Sequence, residues 1–391
     1  MLLSIAYILV LGLILGSLCR KLGLPPLIGM LFAGVILGPY GLDMLSDSLL
    51  SISAELRQIA LVIILIRAGL AMDLVALKRV GLPAALMSFI PACFEIVGMI
   101  ILAPWLLGVS IIEAALLGSV IAAVSPAVIV PKMLYMIDNK IGTRRSIPQL
   151  IMAGASVDDI FVIVLFSSFC SLVSGGEVTA SSFGQIPISI ILGVGVGITV
   201  GYLLSLFFQK VHMRDTVKLL LLLSISFFFV AAESALKGVV PFSGLLAVMT
   251  MSASILYFYE AVARRISPKF TKLWVGAEIM LFVLVGATID LKFAVGAGLS
   301  AVILLLGVLI FRLAGVFVSL LTAKGLDMKA KLFCMIAYIP KATVQAAIGS
   351  IPLSLGLPCG KIILTVAVLS IIITAPLGSL LIEKGYRLVK E

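Results

Sequence analysis

Two adjacent carboxylates, Asp158 and Asp159, lie inside an apolar run and are the residues of this chain best placed to do chemistry. The run, about residues 148–173, is long enough to cross a bilayer as a helix. An acid at membrane depth costs ~2.5–3.5 kcal/mol by insertion scales, and such residues usually mark an ion or proton pathway. Because neighbours on a helix point about 100° apart, we expect one carboxylate to carry a cation and the other to tune it.

Asp159 is the predicted exchange site. Partly desolvated surroundings favour the neutral form of a carboxyl group, so a proton and a small hard cation would compete for it. Oxygen ligands suit Na⁺ or Li⁺, as they suit other hard cations. We therefore predict Na⁺ at Asp159, with further ligands from the hydroxyl group of Ser156 and from backbone carbonyl groups freed around Val124 and Ser125. Asp158 belongs to the same predicted cation- and proton-binding set, as the residue that tunes Asp159.

Three further charges are predicted at membrane depth: Glu95, Arg312 and Lys341. With the two aspartates they sum to −1 when all are ionised, so one cation or one proton completes neutrality. Glu95 and Arg312 are predicted to form a structural ion pair, whose disruption would leave a buried charge unpaired. Lys341 could offset the negative ends of broken helices or contact Asp158.

These residues must be positioned by membrane helices. Of the 391 residues 62% are hydrophobic and 12% are charged, and the mean hydropathy is +1.30. Soluble domains carry roughly 25% charged residues, so the composition indicates a polytopic, all-α membrane protein in a lipid bilayer. The net charge of +10 could suggest nucleic acid, but the basic residues form small groups between apolar runs, as in cytoplasmic loops.

Apolar runs predict about thirteen transmembrane helices. Twenty-one of the 28 basic residues fall on one side of this arrangement and four on the other, which predicts the N-terminus outside and the C-terminus inside. The predicted spans are about 2–19, 25–39, 55–73, 82–107, 111–136, 148–173, 185–209, 216–236, 241–259, 272–290, 292–323, 329–351 and 359–383.

An internal repeat is predicted at one constant offset in sequence number. Gly-x-x-(Met/Ile)-Asp-Leu occurs at 69–74 and at 286–291, and the offset between these two motifs also relates Glu95 to Arg312. The offset covers seven spans, an odd number, so the repeats would have inverted topology, as in transporters with a midplane site. Pro126 and Pro340 interrupt corresponding spans, which predicts two discontinuous crossing helices, with Lys341 compensating charge at the break.

Several stretches together resemble the monovalent cation/proton antiporters, and most closely the NHA branch of sodium/proton antiporters. AGASVDD (153–159) and PKATVQAAIG (340–349) carry most of the resemblance. The other stretches are residues 27–29, 34–39, 125–126, 365–370 and 373–381.

The resemblance implies a homodimer that works by elevator-type alternating access. It implies a single integral membrane unit over residues 1–391, with a core ion-transport domain, a dimerisation domain and a linking helix region. We place the core at about 55–173 and 272–351, the dimerisation domain at about 1–54, 216–259 and 359–391, and the linking region at 174–215. It also implies that Asp159 exchanges the ion and proton, with Asp158 beside it.

One departure concerns the ligands. Relatives with an Asn-Asp pair often carry a hydroxyl group four residues before the final aspartate, where this chain has Ala155. Ser156 or water would then substitute.

A second departure concerns the stoichiometry. Electrogenic relatives with an Asp-Asp pair carry a lysine where this chain has Arg312, and arginine stays protonated. We therefore favour electroneutral exchange of one Na⁺ or Li⁺ for one H⁺.

Two other functions remain open from the sequence: a K⁺/H⁺ antiporter of the same fold, and a sodium-coupled organic-anion symporter. A symporter of organic anions would need an anion site and should not need paired midplane acids. The chain has no Gly-Lys-Ser/Thr phosphate-binding motif, so ATP-driven pumping is not expected. No enzymatic activity, cofactor or nucleic acid is expected, and the predicted location is the cell membrane, or the cytoplasmic membrane in a bacterium.

Overall fold

A computed structural model describes residues 1–71, 81–174, 180–236, 240, 242–323 and 325–390, apart from the side chains of 156, 160, 180–187 and 291–297. Throughout these residues the regular structure is helical and contains no strand. The helices, which we number in chain order, are α1 (Leu2–Lys21), α2 (Pro26–Leu37), α3 (Asp47–Leu50), α4 (Ser53–Leu70), α5 (Leu82–Met87), α6 (Ile90–Leu107), α7 (Ile111–Ile121), α8 (Pro126–Asp138), α9 (Ile147–Ser174), α10 (Ala180–Lys210), α11 (Asp215–Ala235), α12 (Gly244–Phe258), α13 (Glu260–Ala287), α14 (Leu291–Ser319), α15 (Met328–Ala337), α16 (Thr343–Ile348), α17 (Ile351–Ser354) and α18 (Gly360–Val389), with a 3₁₀ turn at Leu320–Thr322.

Nine helical segments within the described residues are long and apolar enough to cross a membrane. Two shorter apolar helices, Pro26–Leu37 and Gly244–Phe258, add to them. This establishes a multi-pass helical membrane protein. Helices occupy each of the thirteen predicted ranges, while the number of crossings and the orientation of the termini stay predictions.

Contacts divide the chain into two compact units. One consists of Met1–Ala54, Asp73–Val162 and Ile279–Glu391, and contains both interrupted helices. Its tightly packed interior includes Met87, Ile129, Ile151, Phe333 and Ile382, which come from α5, α8, α9, α15 and α18. The other consists of Glu55–Met72 and Ile163–Glu278. In that unit Gly193 and Gly197 of α10 bring its backbone close to α12, since a Cβ there would lie 2.8 Å from Ser243 O and 2.7 Å from Ala247 O.

Both predicted helix interruptions are present. Residues 122–125 separate α7 from α8, and residues 338–342 separate α15 from α16. Pro126 takes a first-turn position of α8, where its missing N–H removes no helical hydrogen bond. The extended segments touch each other, because the N–H of Ser125 donates to Pro340 O at 2.9 Å. The two breaks therefore lie at one place in the fold.

Helices α6 and α14 pack against each other. A glycine of each helix faces a phenylalanine of the other, and the two glycines and the two phenylalanines are each separated by the predicted repeat offset. A Cβ on Gly98 would lie 2.6 Å from the ring of Phe311, and a Cβ on Gly315 would lie 3.0 Å from Cβ of Phe94. Both pairs, Phe94 with Phe311 and Gly98 with Gly315, have the same sequence separation as Glu95 and Arg312. The same close approach brings Glu95 and Arg312 together. Of the short motif that first indicated the repeat, residues 72–74 lie outside the described residues.

Candidate ion-binding site

Asp158 and Asp159 both lie on α9 at the level of the breaks. The exposed fraction of Asp158 is 0% and that of Asp159 is 8%, so both acids are buried in the protein. Asp158 is held on two sides: its Oδ2 accepts from the N–H of Val124 at 2.8 Å and from Arg312 Nη2 at 3.1 Å. Asp159 makes no hydrogen bond or ion pair with the described residues. Adjacent residues of one type thus have different surroundings.

The other three charges predicted at membrane depth form a chain of ion pairs that ends at Asp158. Lys341 Nζ donates to Glu95 Oε2 at 2.7 Å, and Arg312 Nη1 donates to the same oxygen at 2.7 Å. Arg312 also forms an ion pair with Asp158, through Nη2. The order Lys341, Glu95, Arg312, Asp158 alternates in sign and sums to zero. Asp159 is left as a carboxylate that this chain of pairs does not neutralise.

The predicted pair of Glu95 and Arg312 is part of this chain, but two contacts differ from the expectation. Lys341 contacts Glu95 and not Asp158. The negative helix ends are approached by Arg312, whose Nε donates to Tyr338 O at 2.8 Å and whose Nη1 donates to Ala122 O. The planar guanidinium group has five N–H donors, so it can hold two carboxylates and two carbonyl groups at once. An ammonium group with three donors could not make all of these contacts.

The side chain of Gln345 donates hydrogen bonds to backbone carbonyl groups at the C-terminal end of α7. Its amide nitrogen donates to Ile121 O at 3.0 Å and to Ala123 O at 2.8 Å. Together with the bond from Arg312 to Ala122 O, three successive carbonyl groups are satisfied by side chains from outside the helix. The last carbonyl groups of a helix have no partner within it, so such bonds are needed where water is excluded.

Backbone N–H groups in the breaks are also bonded. The N–H of Val124 donates to Asp158 on α9, and the N–H of Lys341 donates to Thr374 Oγ1 on α18 at 2.9 Å. Val124 and Lys341 are themselves separated by the repeat offset. Each break is therefore anchored by a side chain of the helical span that follows it in the chain.

Several buried oxygen atoms near the crossing have no hydrogen-bond partner among the described residues. They come from the start of α8, from α9, from the second break and from α16, and are Ser125 Oγ, Asp158 Oδ1, Asp159 Oδ1, Tyr338 Oη and Gln345 Oε1. A buried polar group without a partner costs about 1–3 kcal/mol. Carboxylate, hydroxyl and amide oxygens are ligands that a hard cation accepts. The set therefore has the chemistry of a site for Na⁺ or Li⁺.

Sequence reasoning missed three residues of this region: Gln345, Tyr338 and Thr374. A lone amide at 345 and a tyrosine two residues before Pro340, both in apolar surroundings, were the available signals. The predicted contribution of Ser156 cannot be compared with the geometry, since its side chain lies outside the described residues.

A family model described as "Sodium/hydrogen exchanger, transmembrane" matches residues 6–383, almost the whole chain. The chain belongs to the sodium/hydrogen exchanger family. The resemblance found in the sequence is thereby confirmed.

Mammalian relatives align with the exchanger over most of its length. Sodium/hydrogen exchanger 9B2 of Mus musculus is 35% identical over 376 residues, which cover 92% of this chain and 67% of the relative. The Homo sapiens protein of the same name is 33% identical, with 94% of this chain and 70% of the relative covered. At these identities and coverages the relatives also show that the chain belongs to this family.

A solved structure gives the same fold. The sodium proton antiporter MjNhaP1 from Methanocaldococcus jannaschii, at pH 8, superposes with a TM-score of 0.81 at 20% identity. The match covers 99% of the exchanger and 98% of that chain. The likeness therefore shows a shared fold over nearly the whole of both chains.

Proposed function

We propose that this protein is a secondary antiporter that exchanges Na⁺ or Li⁺ for H⁺ at Asp159. One observation carries the proposal: four of the five charges predicted at membrane depth neutralise one another in a hydrogen-bonded chain, and the fifth, Asp159, has no hydrogen-bond or ion-pair partner among the described residues. A buried carboxylate without a partner must take up a counter-charge, either as a proton or as a cation. The relatives named for sodium/hydrogen exchange support Na⁺ and H⁺ as the two.

Competition for one carboxylate couples the two ions. When Na⁺ approaches Asp159, the proton must leave, and when the proton returns, Na⁺ is released. We propose that Arg312 and Lys341, which pair with Glu95 in the structure, keep this partner in both loaded forms, so that the two forms have the same net charge. Loss of the ion without protonation would leave a bare carboxylate among buried groups, which is costly. The proposed stoichiometry is therefore one Na⁺ or Li⁺ for one H⁺.

The ligand set proposed for the cation combines the sequence prediction with the unsatisfied oxygens. Asp159 Oδ1 and Ser125 Oγ are buried and available to it. The backbone carbonyl group of Val124 and the hydroxyl group of Ser156 remain proposed ligands from the sequence. Gln345 Oε1 is added because it is buried and has no partner among the described residues.

Alternating exposure of this site is proposed to follow an elevator mechanism in a homodimer. The proposed core domain is about 55–173 and 272–351, and the proposed dimerisation domain is about 1–54, 216–259 and 359–391, joined by 174–215. The reciprocal contacts of α6 and α14, and the paired anchoring of Val124 and Lys341, support inverted repeats. Thirteen spans, with the N-terminus outside and the C-terminus inside, complete the proposal.

The test is ion-dependent proton movement in proteoliposomes that contain a pH-sensitive dye. We expect Na⁺ and Li⁺ to change the internal pH, K⁺ to have little effect, and Asp159→Asn to abolish the response. Glu113→Gln is the matched control, since Glu113 is a half-buried acid in the capping box of α7 and makes no contact with the chain of ion pairs described above. A response to K⁺ as large as that to Na⁺ would favour a K⁺/H⁺ antiporter. Normal exchange by Asp159→Asn would overturn the proposal.

A further inference from the structure

The side-chain amide of Gln345 has only one orientation that its neighbours allow. The residue is 1% exposed, and its Nε2 donates to Ile121 O at 3.0 Å and to Ala123 O at 2.8 Å. Both neighbours are acceptors, and only the amino group of an amide has N–H donors to offer them. A flipped amide would place Oε1 against two oxygens, so these bonds hold the amide in one position.

The two bonds belong to a nearly complete occupation of the carbonyl groups in the first helix break. Arg312 Nη1 donates to Ala122 O between them, and Ser125 O accepts from two N–H groups in the first turn of α8 at 3.2 Å. Val124 O accepts no hydrogen bond within the described part of the chain. Of the five carbonyl groups at 121–125, all in described residues, one is therefore left to bind an ion.

The second break is similar. Tyr338 O, Pro340 O and Ala342 O each accept a hydrogen bond, whereas Ile339 O and Lys341 O accept none from any described residue. In neither segment are two neighbouring carbonyl groups free together. The crossing therefore offers single carbonyl oxygens and no cluster of them.

The number of free carbonyl groups bears on which cation the site accepts. K⁺ is bound in selective channels by rings of carbonyl oxygens that together replace its hydration shell. A smaller cation gains more from a single carboxylate, because the attraction between two charges rises as their separation falls. A site with one unpaired carboxylate and few carbonyl oxygens therefore favours Na⁺ or Li⁺ over K⁺.

We propose that Gln345 is a specificity-determining residue, which excludes K⁺ by keeping the carbonyl groups of Ile121 and Ala123 out of the ion site. The inference rests on the proposed function, which places the cation at Asp159 with the carbonyl group of Val124 among its ligands. Ala123 immediately precedes Val124, and consecutive Cα atoms are about 3.8 Å apart, so a freed carbonyl group at 123 is close enough to join the same ligand shell. The place that holds the positive end of an amide between two oxygens can also hold a cation once the amide is gone.

The test compares cation preference in the wild type and in Gln345→Leu, in proteoliposomes that contain a pH-sensitive dye. The substitution frees both carbonyl groups and also removes Oε1, a proposed ligand. We expect the ratio of half-saturating K⁺ to half-saturating Na⁺ to fall by about three- to ten-fold, the worth of one net hydrogen bond, and a proton response to K⁺ to appear. Loss of a ligand or of stability alone would weaken every cation and create no response to K⁺.

Gln345→Met is the second variant, because its unbranched side chain has nearly the length of glutamine and fills the same space without an N–H donor. It should relax the preference in the same direction. Gln149→Leu is the control, since it removes another amide, on α9, whose Oε1 has no partner among the described residues. That variant should keep the wild-type ratio.

Cation-dependent melting temperatures in detergent give the same comparison without transport, because a bound ion stabilises the folded protein. Na⁺ and Li⁺ should raise the melting temperature of the wild type and K⁺ should not, whereas K⁺ should also raise that of the Gln345 variants. Stabilisation of the wild type by K⁺ as strong as by Na⁺ would overturn the inference whatever the variants do.

Failure of this inference is distinct from failure of the proposed function. A wild type that exchanges Na⁺ for H⁺, with both Gln345 variants still excluding K⁺ in exchange and in melting, would overturn the role of Gln345 alone. A wild type that exchanges no cation for protons would overturn the proposed function, and the role of Gln345 with it.

Discussion

At the scale of single residues, the site is governed by which charges have partners. The sequence supplied the five intramembrane charges, their sum and the pair of Glu95 with Arg312. It could not supply the contacts of Asp158 with Arg312 or of Lys341 with Glu95, because these depend on how far side chains reach between distant helices. Hydrophobic periodicity carries no information about that reach.

Arg312→Met should destabilise the protein by about 3–5 kcal/mol, the usual cost of leaving a buried charge unpaired. Glu95 would keep Lys341, so the acid left with a backbone N–H alone is Asp158. Neutralising it with Asp158→Asn should therefore recover more stability than Glu95→Gln does. Thermal unfolding of the purified protein in detergent measures the difference.

Arg264→Met is the matched control for that series. Arg264 pairs with Glu260 on the exposed surface of α13, and exposed pairs contribute about 0–1 kcal/mol. The opposite result would be that Glu95→Gln recovers more stability than Asp158→Asn does. In that case Asp158 would not be the acid that the loss of Arg312 leaves unpaired.

At the scale of helices, the crossing is held by side chains that replace missing helical bonds. Pro126 and Pro340 made the breaks predictable, because proline in a long apolar run interrupts a helix. The side chains that bond to the free backbone N–H and C=O groups at the breaks could not be predicted from the spacing of residues in the sequence. Gln345 and Thr374 look like ordinary polar residues in apolar runs until the structure places them at the breaks.

Gln345→Leu should cost about 1–3 kcal/mol in the free energy of unfolding, because it leaves the carbonyl groups of Ile121 and Ala123 buried without their donor. Gln149→Leu is a close control, since Gln149 lies on α9 and its Oε1 has no partner among the described residues. We expect little or no loss there. Equal melting temperatures for the two variants would show that the amide of Gln345 does not hold α7.

At the scale of the whole molecule, several contacts involve pairs of residues separated by the offset of the predicted repeat. The repeat offset relates the glycines that let α6 and α14 approach, the aromatic residues that cover them, and the anchored N–H groups of the breaks. The sequence indicated this repeat from two short matches. The additional pairs were invisible there because a glycine or phenylalanine in an apolar run is not distinctive without its contacts.

Electroneutral exchange is the prediction that belongs to the whole molecule. A sodium gradient across a solid-supported membrane should drive proton movement without steady charge transfer, and the exchange rate should not respond to an imposed potential. The reason is that the loaded site carries the same charge with Na⁺ as with H⁺. A sodium-driven current whose sign reports net charge movement per turnover would contradict the one-for-one stoichiometry.

The most direct test of the central claim is the number of protons released when Na⁺ binds to the purified protein in weakly buffered detergent. The proposed competition at Asp159 predicts one proton released for each Na⁺ bound at pH values low enough for the site to be protonated beforehand, and about half a proton at the pH of half-maximal protonation. It also predicts no release from Asp159→Asn and normal release from Glu113→Gln. Sodium binding without proton release, or undiminished release from Asp159→Asn, would contradict it.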